Sequence, residues 1–244
     1  CDHLRFTGRR RAMKVSIVIP LYNERATIET LLQRVLNASS DMDRELIVVD
    51  DASTDGSWEE LQRVRDRVGD PPLRIFRHER NQGKGAAVRT GFSQVQGDVA
   101  IVQDADLEYD PREYPRLLEP IIEGRADVVY GSRFLGGPHR VLLFWHYMGN
   151  RFLTFVCNLL YNVNLTDMET CYKVLRREVV NRIHLKCERF GFDPEITAKV
   201  CKLGCRLYEV PISYHGRSYA EGKKITWKDG FTVLWTLLRF RFND

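Results

Sequence analysis

No CxxC pair and no histidine at zinc-finger spacing occurs among the six cysteines, Cys1, Cys157, Cys171, Cys187, Cys201 and Cys205. That excludes a zinc ribbon and a dithiol redox motif, and the reading is a set of reduced thiols in a cytosolic protein. With 17 glycines and 9 prolines in 244 residues the chain is neither collagenous nor low in complexity. It needs no covalent staples, because a chain of this length buries roughly 70% of its unfolded surface. No uncharged apolar run reaches the about 18–20 residues of a membrane-spanning helix. The basic N-terminal stretch has no apolar core behind it, so residues 1–13 are expected to be an extension around a start at Met13 and not a signal peptide. GxGxxG is missing after the first strand, and so is GxxxxGK[ST], which weighs against a dinucleotide oxidoreductase and a P-loop NTPase.

What is present is an acidic body with basic ends. The formal charge is +4, and residues 1–14 and 202–244 each carry +4, which leaves 15–201 at −4. A duplex-binding protein would place its positive charge on the main domain, so no nucleic-acid partner is expected.

Short β-branched runs at 15–19, 45–49, 73–77, 99–103 and 127–130 alternate with helical stretches at 26–37, 57–68, 84–96 and 113–123. Continuous apolar strands are buried on both faces, so the fold class is α/β with a doubly wound, mostly parallel sheet flanked by helices. Ser57 and Glu60 read as a capping box, and Asp193-Pro194 as an N-cap with proline at the first helical position. After 130 the rhythm changes. Residues 141–165 are aromatic-rich with one formal charge, Arg151, and follow helical spacing; 207–210 reads as a strand and 226–241 as an amphipathic basic helix. The expectation is one domain over 14–225 with an elaborated C-terminal third, followed by the helix of 226–244.

Ligands of doubly wound sheets bind at the carboxyl ends of strands. Here three such ends are acidic: Glu24 after the first, Asp50 and Asp51 at the second, Asp104, Asp106 and Glu108 after the fourth. Clustered carboxylates repel unless a cation compensates, and hard oxygen donors suit Mg²⁺ or Mn²⁺ bridged to a diphosphate. Asp55-Gly56 is read as a turn only. Gly83-Lys84-Gly85 opens a helix and puts Lys84 near negative charge, a weak signal of phosphate.

Taken in order, the stretches 16–24 (SIVIPLYNE), 48–53 (VVDDAS), 81–85 (NQGKG), 104–108 (DADLE), 131–134 (GSRF) and 217–224 (RSYAEGKK) resemble family 2 glycosyltransferases of the GT-A fold, in the branch of dolichyl-phosphate mannose and glucose synthases. The resemblance covers roughly 14–225. It implies that Pro20, Tyr22, Glu24 and Asp51 contact base and ribose of a nucleotide-sugar donor, with Val49 lining the pocket and Lys84 and Ala105 near the nucleotide. It implies that Asp106 ligates the cation, with help from Asp104 and from Glu108, where the family often carries Gln. Asp104, Asp106 and Arg217 are then the catalytic set. For a polyprenyl phosphate acceptor it implies phosphate contacts from Arg133, Arg217 and Lys223, to which Arg151 is added.

An acceptor phosphate oxygen is already an anionic nucleophile, so cations to position it suffice. The implied activity is an inverting, metal-dependent hexosyl transfer to a polyprenyl or dolichyl phosphate, from a donor such as GDP-mannose or UDP-glucose. None of Trp58, Trp145, Trp227 and Trp235 follows an arginine, which disfavours the processive branch with its QxxRW motif. A transferase acting on a hydroxyl needs a carboxylate base, for which Asp167, Glu169, Asp193 and Glu195 stand open, and a non-catalytic nucleotide-sugar-binding protein is the other alternative. The aromatic 141–165 and the basic ends imply a peripheral surface on the cytoplasmic face of a membrane, or a membrane-protein partner.

Overall fold

Runs of Val, Ile and Leu build the sheet. In the computed structural model, which describes residues 13–38, 42–68, 73–136, 138–141, 143–189, 191–217 and 227–243, it has seven strands. They are β1 (Val15–Leu21), β2 (Arg44–Asp50), β3 (Leu73–Arg77), β4 (Val99–Val102), β5 (Val128–Ser132), β6 (Lys173–Arg176) and β7 (Leu207–Pro211), in the spatial order 3-2-1-4-6-5-7. Every neighbouring pair is parallel except those of β6, which runs antiparallel to β4 and β5. The centre of the sheet is wholly buried: Ile17, Val18, Ile19, Leu46, Ile47, Val48 and Val49 have no exposed surface.

Between the strands lie α1 (Ile28–Ala38), α2 (Ser57–Val68), α3 (Lys84–Phe92) and α4 (Tyr114–Ile122). α1 shows why a helix forms there: Ile28, Leu31, Leu32 and Val35 recur at helical spacing and all are buried against the sheet. α3 approaches β1 so closely that a Cβ on Gly91 would run into Val18. It ends at Phe92, four residues short of the sequence expectation, and the chain then turns so that the Gly97 amide donates to Ser16 Oγ at 2.9 Å.

The later part adds α5 (Phe144–Tyr161), α6 (Arg177–Arg182), α7 (Phe192–Lys202) and α8 (Trp227–Phe242). α5 and α8 share a small second core of Cys157, Met168, Val233 and Leu237. No helix of the described residues is long and apolar enough to cross a membrane.

Two sequence expectations about caps are corrected. Ser57 lies inside α2; the amide and hydroxyl of Ser57 both donate to Asp55 Oδ1, and Glu60 pairs with Arg63 at 3.0 Å. Asp193 is the second residue of α7, and its carboxylate meets Lys173 Nζ at 2.5 Å, because a buried lysine needs the charge more than the helix start does. β6 was absent from the sequence reading: it has four residues, LysValLeuArg at 173–176, with a charge at each end.

Candidate functional site

The carboxyl ends of β1, β2 and β4 open into one cavity of about 1560 Å³. Its polar part is lined by Pro20, Tyr22, Glu24, Asp51, Lys84, Asp104, Ala105, Asp106, Glu108, Arg133 and Arg217. Strand geometry explains the convergence, since parallel neighbours in register deliver their last residues to one edge: Leu21 lies opposite Asp50, and Val18 opposite Val102.

Asp51 holds the following loop in place. Its Oδ1 accepts from the Gln82 amide at 2.9 Å and its Oδ2 from the Gly83 amide at 2.6 Å, while His78 Nδ1 lies 2.7 Å from Oδ1. Gly83 takes φ +99°, and a Cβ there would also meet the Glu188 carbonyl and Arg189, so glycine is required twice over. The loop sets Lys84, whose Nζ sits 2.8 Å from Asp104 Oδ1. Burial works against charge on Lys84, but Asp104, with Cys171 and Asp193 behind it, outweighs burial and lifts the amine well above the usual lysine range.

Arg217 occupies the middle of the remaining carboxylates. Its guanidinium lies 3.0 Å from Asp106, 3.3 Å from Glu24 and 3.3 Å from Glu108. The second oxygen of Glu108 accepts from Tyr214 Oη at 2.7 Å. Burial, and then the charges of Asp104 and Glu108, push Asp106 up to about 7 against the pull of Arg217. The cluster is short of positive charge even with Arg217 in place. Among the described residues no three His, Cys, Asp or Glu side chains converge as a ready-made metal cage. Asp104 and Asp106 nevertheless offer the one or two carboxylates that Mg²⁺ or Mn²⁺ takes when a substrate diphosphate supplies other ligands. Glu108, expected as a third ligand, has both oxygens engaged by Arg217 and Tyr214.

Other expected residues separate. Val49 is wholly buried in the core and is not among the residues of the cavity wall. Arg151 is exposed on α5 and is not among the residues of the cavity wall, although its neighbours Asn150 and Phe152 are. Arg133 is in the wall but forks onto Asp167, with Nε and Nη2 at 2.6 and 2.7 Å from its oxygens. Lys223, with the rest of 218–226, lies outside the described residues.

The four carboxylates open as a base are likewise sorted. Asp167 is taken by Arg133, Asp193 by Lys173, and Glu195 by the amides of Lys186 and Cys187 and by Lys199. Glu169 has a buried oxygen, Oε1, without a hydrogen-bond partner. Burial and then Asp193 push its carboxyl up to about 8, so it is protonated at neutral pH. Sequence reasoning missed Arg140, Arg189 and Tyr214, all in the cavity wall. Their signal was weak, a single charge or hydroxyl in a loop far from any motif.

Beyond the carboxylates the cavity continues along an apolar wall of Phe144, Trp145, Phe152 and Leu153 on α5 and Phe231, Val233 and Leu234 on α8. Trp145 is 81% and Phe231 65% exposed, so this wall opens to the surface as an uncovered aromatic face.

The chain is similar to known proteins in sequence and in fold. It is 33% identical over 214 residues to the dolichol-phosphate mannosyltransferase of Pyrococcus furiosus, covering 86% of this chain and 59% of that protein. It is 33% identical over 211 residues to an undecaprenyl-phosphate 4-deoxy-4-formamido-L-arabinose transferase of Pseudomonas syringae, covering 86% of this chain and 60% of that one. The chain thus spans about three fifths of the length of these curated relatives. In fold it superposes on the glucosyl-3-phosphoglycerate synthase of Mycobacterium tuberculosis, solved with Mn²⁺ and UDP-glucose, at a TM-score of 0.73 and 18% identity, over 95% of this chain and 80% of that one. That likeness speaks for the GT-A sheet alone. The model of the family "Glycosyl transferase family 2" matches residues 16–183, from the start of β1 to the end of α6 and through every acidic strand end described above, and the chain belongs to that family.

Proposed function

We propose that this protein moves a hexose from a nucleotide sugar of the GDP-mannose or UDP-glucose kind to the phosphate of a polyprenyl lipid, with inversion at the anomeric carbon. One observation carries the reading: a single cavity joins the acidic strand ends to an exposed aromatic face on α5 and α8. A nucleotide sugar fits the first part, and a lipid phosphate with its apolar chain fits the second. The relatives named for dolichol phosphate and undecaprenyl phosphate support it.

In this reading Pro20, Tyr22, Glu24 and Asp51 face the nucleoside. Asp104 and Asp106 would hold Mg²⁺ or Mn²⁺ with the diphosphate, and the chemistry such a cation would supply is Lewis-acid stabilisation of the leaving group. Arg217 starts as the counter-ion of Asp106 and Glu108 and turns to phosphate oxygens as they arrive, since a guanidinium fork binds either anion. Arg140, Arg189 and Arg133, with Lys223, steer the lipid phosphate. Its oxygen attacks without a base, and Glu169, held neutral, offers none at pH 7. Peripheral binding at the cytoplasmic face of a membrane, through α5 and α8 or a membrane-protein partner, brings lipid to the cavity. The free cysteines Cys157 and Cys171 accord with a reducing compartment.

The test is a panel of GDP-mannose, UDP-glucose and UDP-N-acetylglucosamine against undecaprenyl and dolichyl phosphate with Mn²⁺ or Mg²⁺. Lipid-linked sugar is expected with one of these donors, and none with excess EDTA or with Asp106→Ala. Full activity in EDTA, or transfer only to a soluble hydroxyl acceptor, would overturn the reading.

A further inference from the structure

Glu169 is the odd member of the cavity wall. The charged groups that act on it are paired with one another, Arg133 with Asp167 and Lys173 with Asp193, and the adjacent Thr170 donates to the Gly131 carbonyl. Glu169 Oε1 is shut off from solvent with no hydrogen bond, although the residue borders the cavity. A buried polar atom left unpaired is costly, and folded proteins rarely keep one without a use. Asp193 acts on Glu169 and also on Lys84, which pairs with Asp104 at 2.8 Å, and all four line the one cavity, so Glu169 adjoins the diphosphate end of the site.

The protonation state narrows the ligand. A neutral carboxyl both donates and accepts, as a sugar hydroxyl does, whereas phosphate oxygens only accept and the lipid chain does neither. The sugar is also the part of the donor that follows the diphosphate. We propose that Glu169 is a specificity residue whose unpartnered oxygen hydrogen-bonds a hydroxyl of the sugar being transferred. This rests on the nucleotide-sugar reading above. Binding sites built to pair a hydroxyl discriminate strongly against ligands lacking it, so Glu169 contributes to which hexose is accepted.

The test is calorimetric titration of the full chain, wild type, Glu169→Gln and Glu169→Ala, with Mn²⁺ present and UDP-glucose compared with UDP, and GDP-mannose with GDP. Glu169→Ala should weaken the preferred nucleotide sugar roughly 10–100-fold while free diphosphate stays within about twofold. Glu169→Gln, whose amide also donates and accepts, should recover most of the loss. Equal weakening of sugar nucleotide and free diphosphate would make Glu169 a structural support, and no weakening of either would also overturn the inference. Lost turnover in Glu169→Gln with sugar affinity intact would make it a base instead. Wild type that binds neither pair of probes would overturn the nucleotide-sugar reading and this inference together, whereas wild type that binds both, beside an unaltered Glu169→Ala, overturns this inference alone.

Discussion

Arg217 draws together carboxylates that the strand ends only bring near. Sequence resemblance put it at the diphosphate or acceptor end, away from the nucleoside; its guanidinium is set against Glu24 as well as Asp106 and Glu108. In the proposed reaction a cation here competes with any metal ion for Asp106 and also supplies charge to the leaving diphosphate. Arg217→Ala should therefore lower turnover by roughly 10²–10³-fold, the scale of removing one donor to a developing charge. Its affinity for Mn²⁺ should not fall, because the competitor is gone. Arg217→Lys should restore turnover only partly, since an ammonium cannot span two carboxylates as a fork does. Turnover and Mn²⁺ titration on both variants check this, and wild-type turnover in Arg217→Ala would refute it.

At the scale of elements, α3 links the nucleotide-side loop to the sheet. Its closeness to β1 rests on Gly91, where a methyl would collide with the wholly buried Val18. Gly91→Ala should cost about 1–3 kcal/mol of overpacking, a fall of roughly 2–12 °C in Tm. Gly149 on α5, with nothing within 4 Å of an added Cβ, is the control, and Gly149→Ala should hold or raise Tm. Thermal unfolding followed by circular dichroism reads both. β1 to β5 and β7 were legible because their apolar runs are long enough to show. β6 was not, because its Lys173 and Arg176 look like loop charges until Asp193 and Asp127 are folded against them. Asp193 misread as a cap is the same error from the other side.

The whole molecule presents its aromatic face on the side where the cavity opens. Phe144, Trp145, Phe155 and Leu159 on α5 and Phe231 and Trp235 on α8 are more than half exposed, and Arg151, Arg239 and Arg241 on the same two helices are exposed too. Each Lys or Arg at an anionic surface adds about 1 kcal/mol, so insertion and charge must act together. The protein should sediment with anionic liposomes, less so as salt rises, and the pair Phe155→Glu with Trp235→Glu should remain in the supernatant. Equal recovery of wild type in the supernatant with and without liposomes would refute this.

The strand–helix alternation, the parallel sheet and the acidic strand ends were determined by the sequence alone, because each is a local pattern: a β-branched run, a helical period, a carboxylate just past a strand. Which of those carboxylates is engaged, and by what, was decided only in the tertiary structure. Arg217 and Glu24 are 193 residues apart, and Arg133 and Asp167 are 34 apart. Ion pairing is a competition among groups that folding brings within a few ångströms, and burial raises the stakes by removing water as the alternative partner. Glu169 lost that competition, and nothing in its neighbours along the chain foretells it.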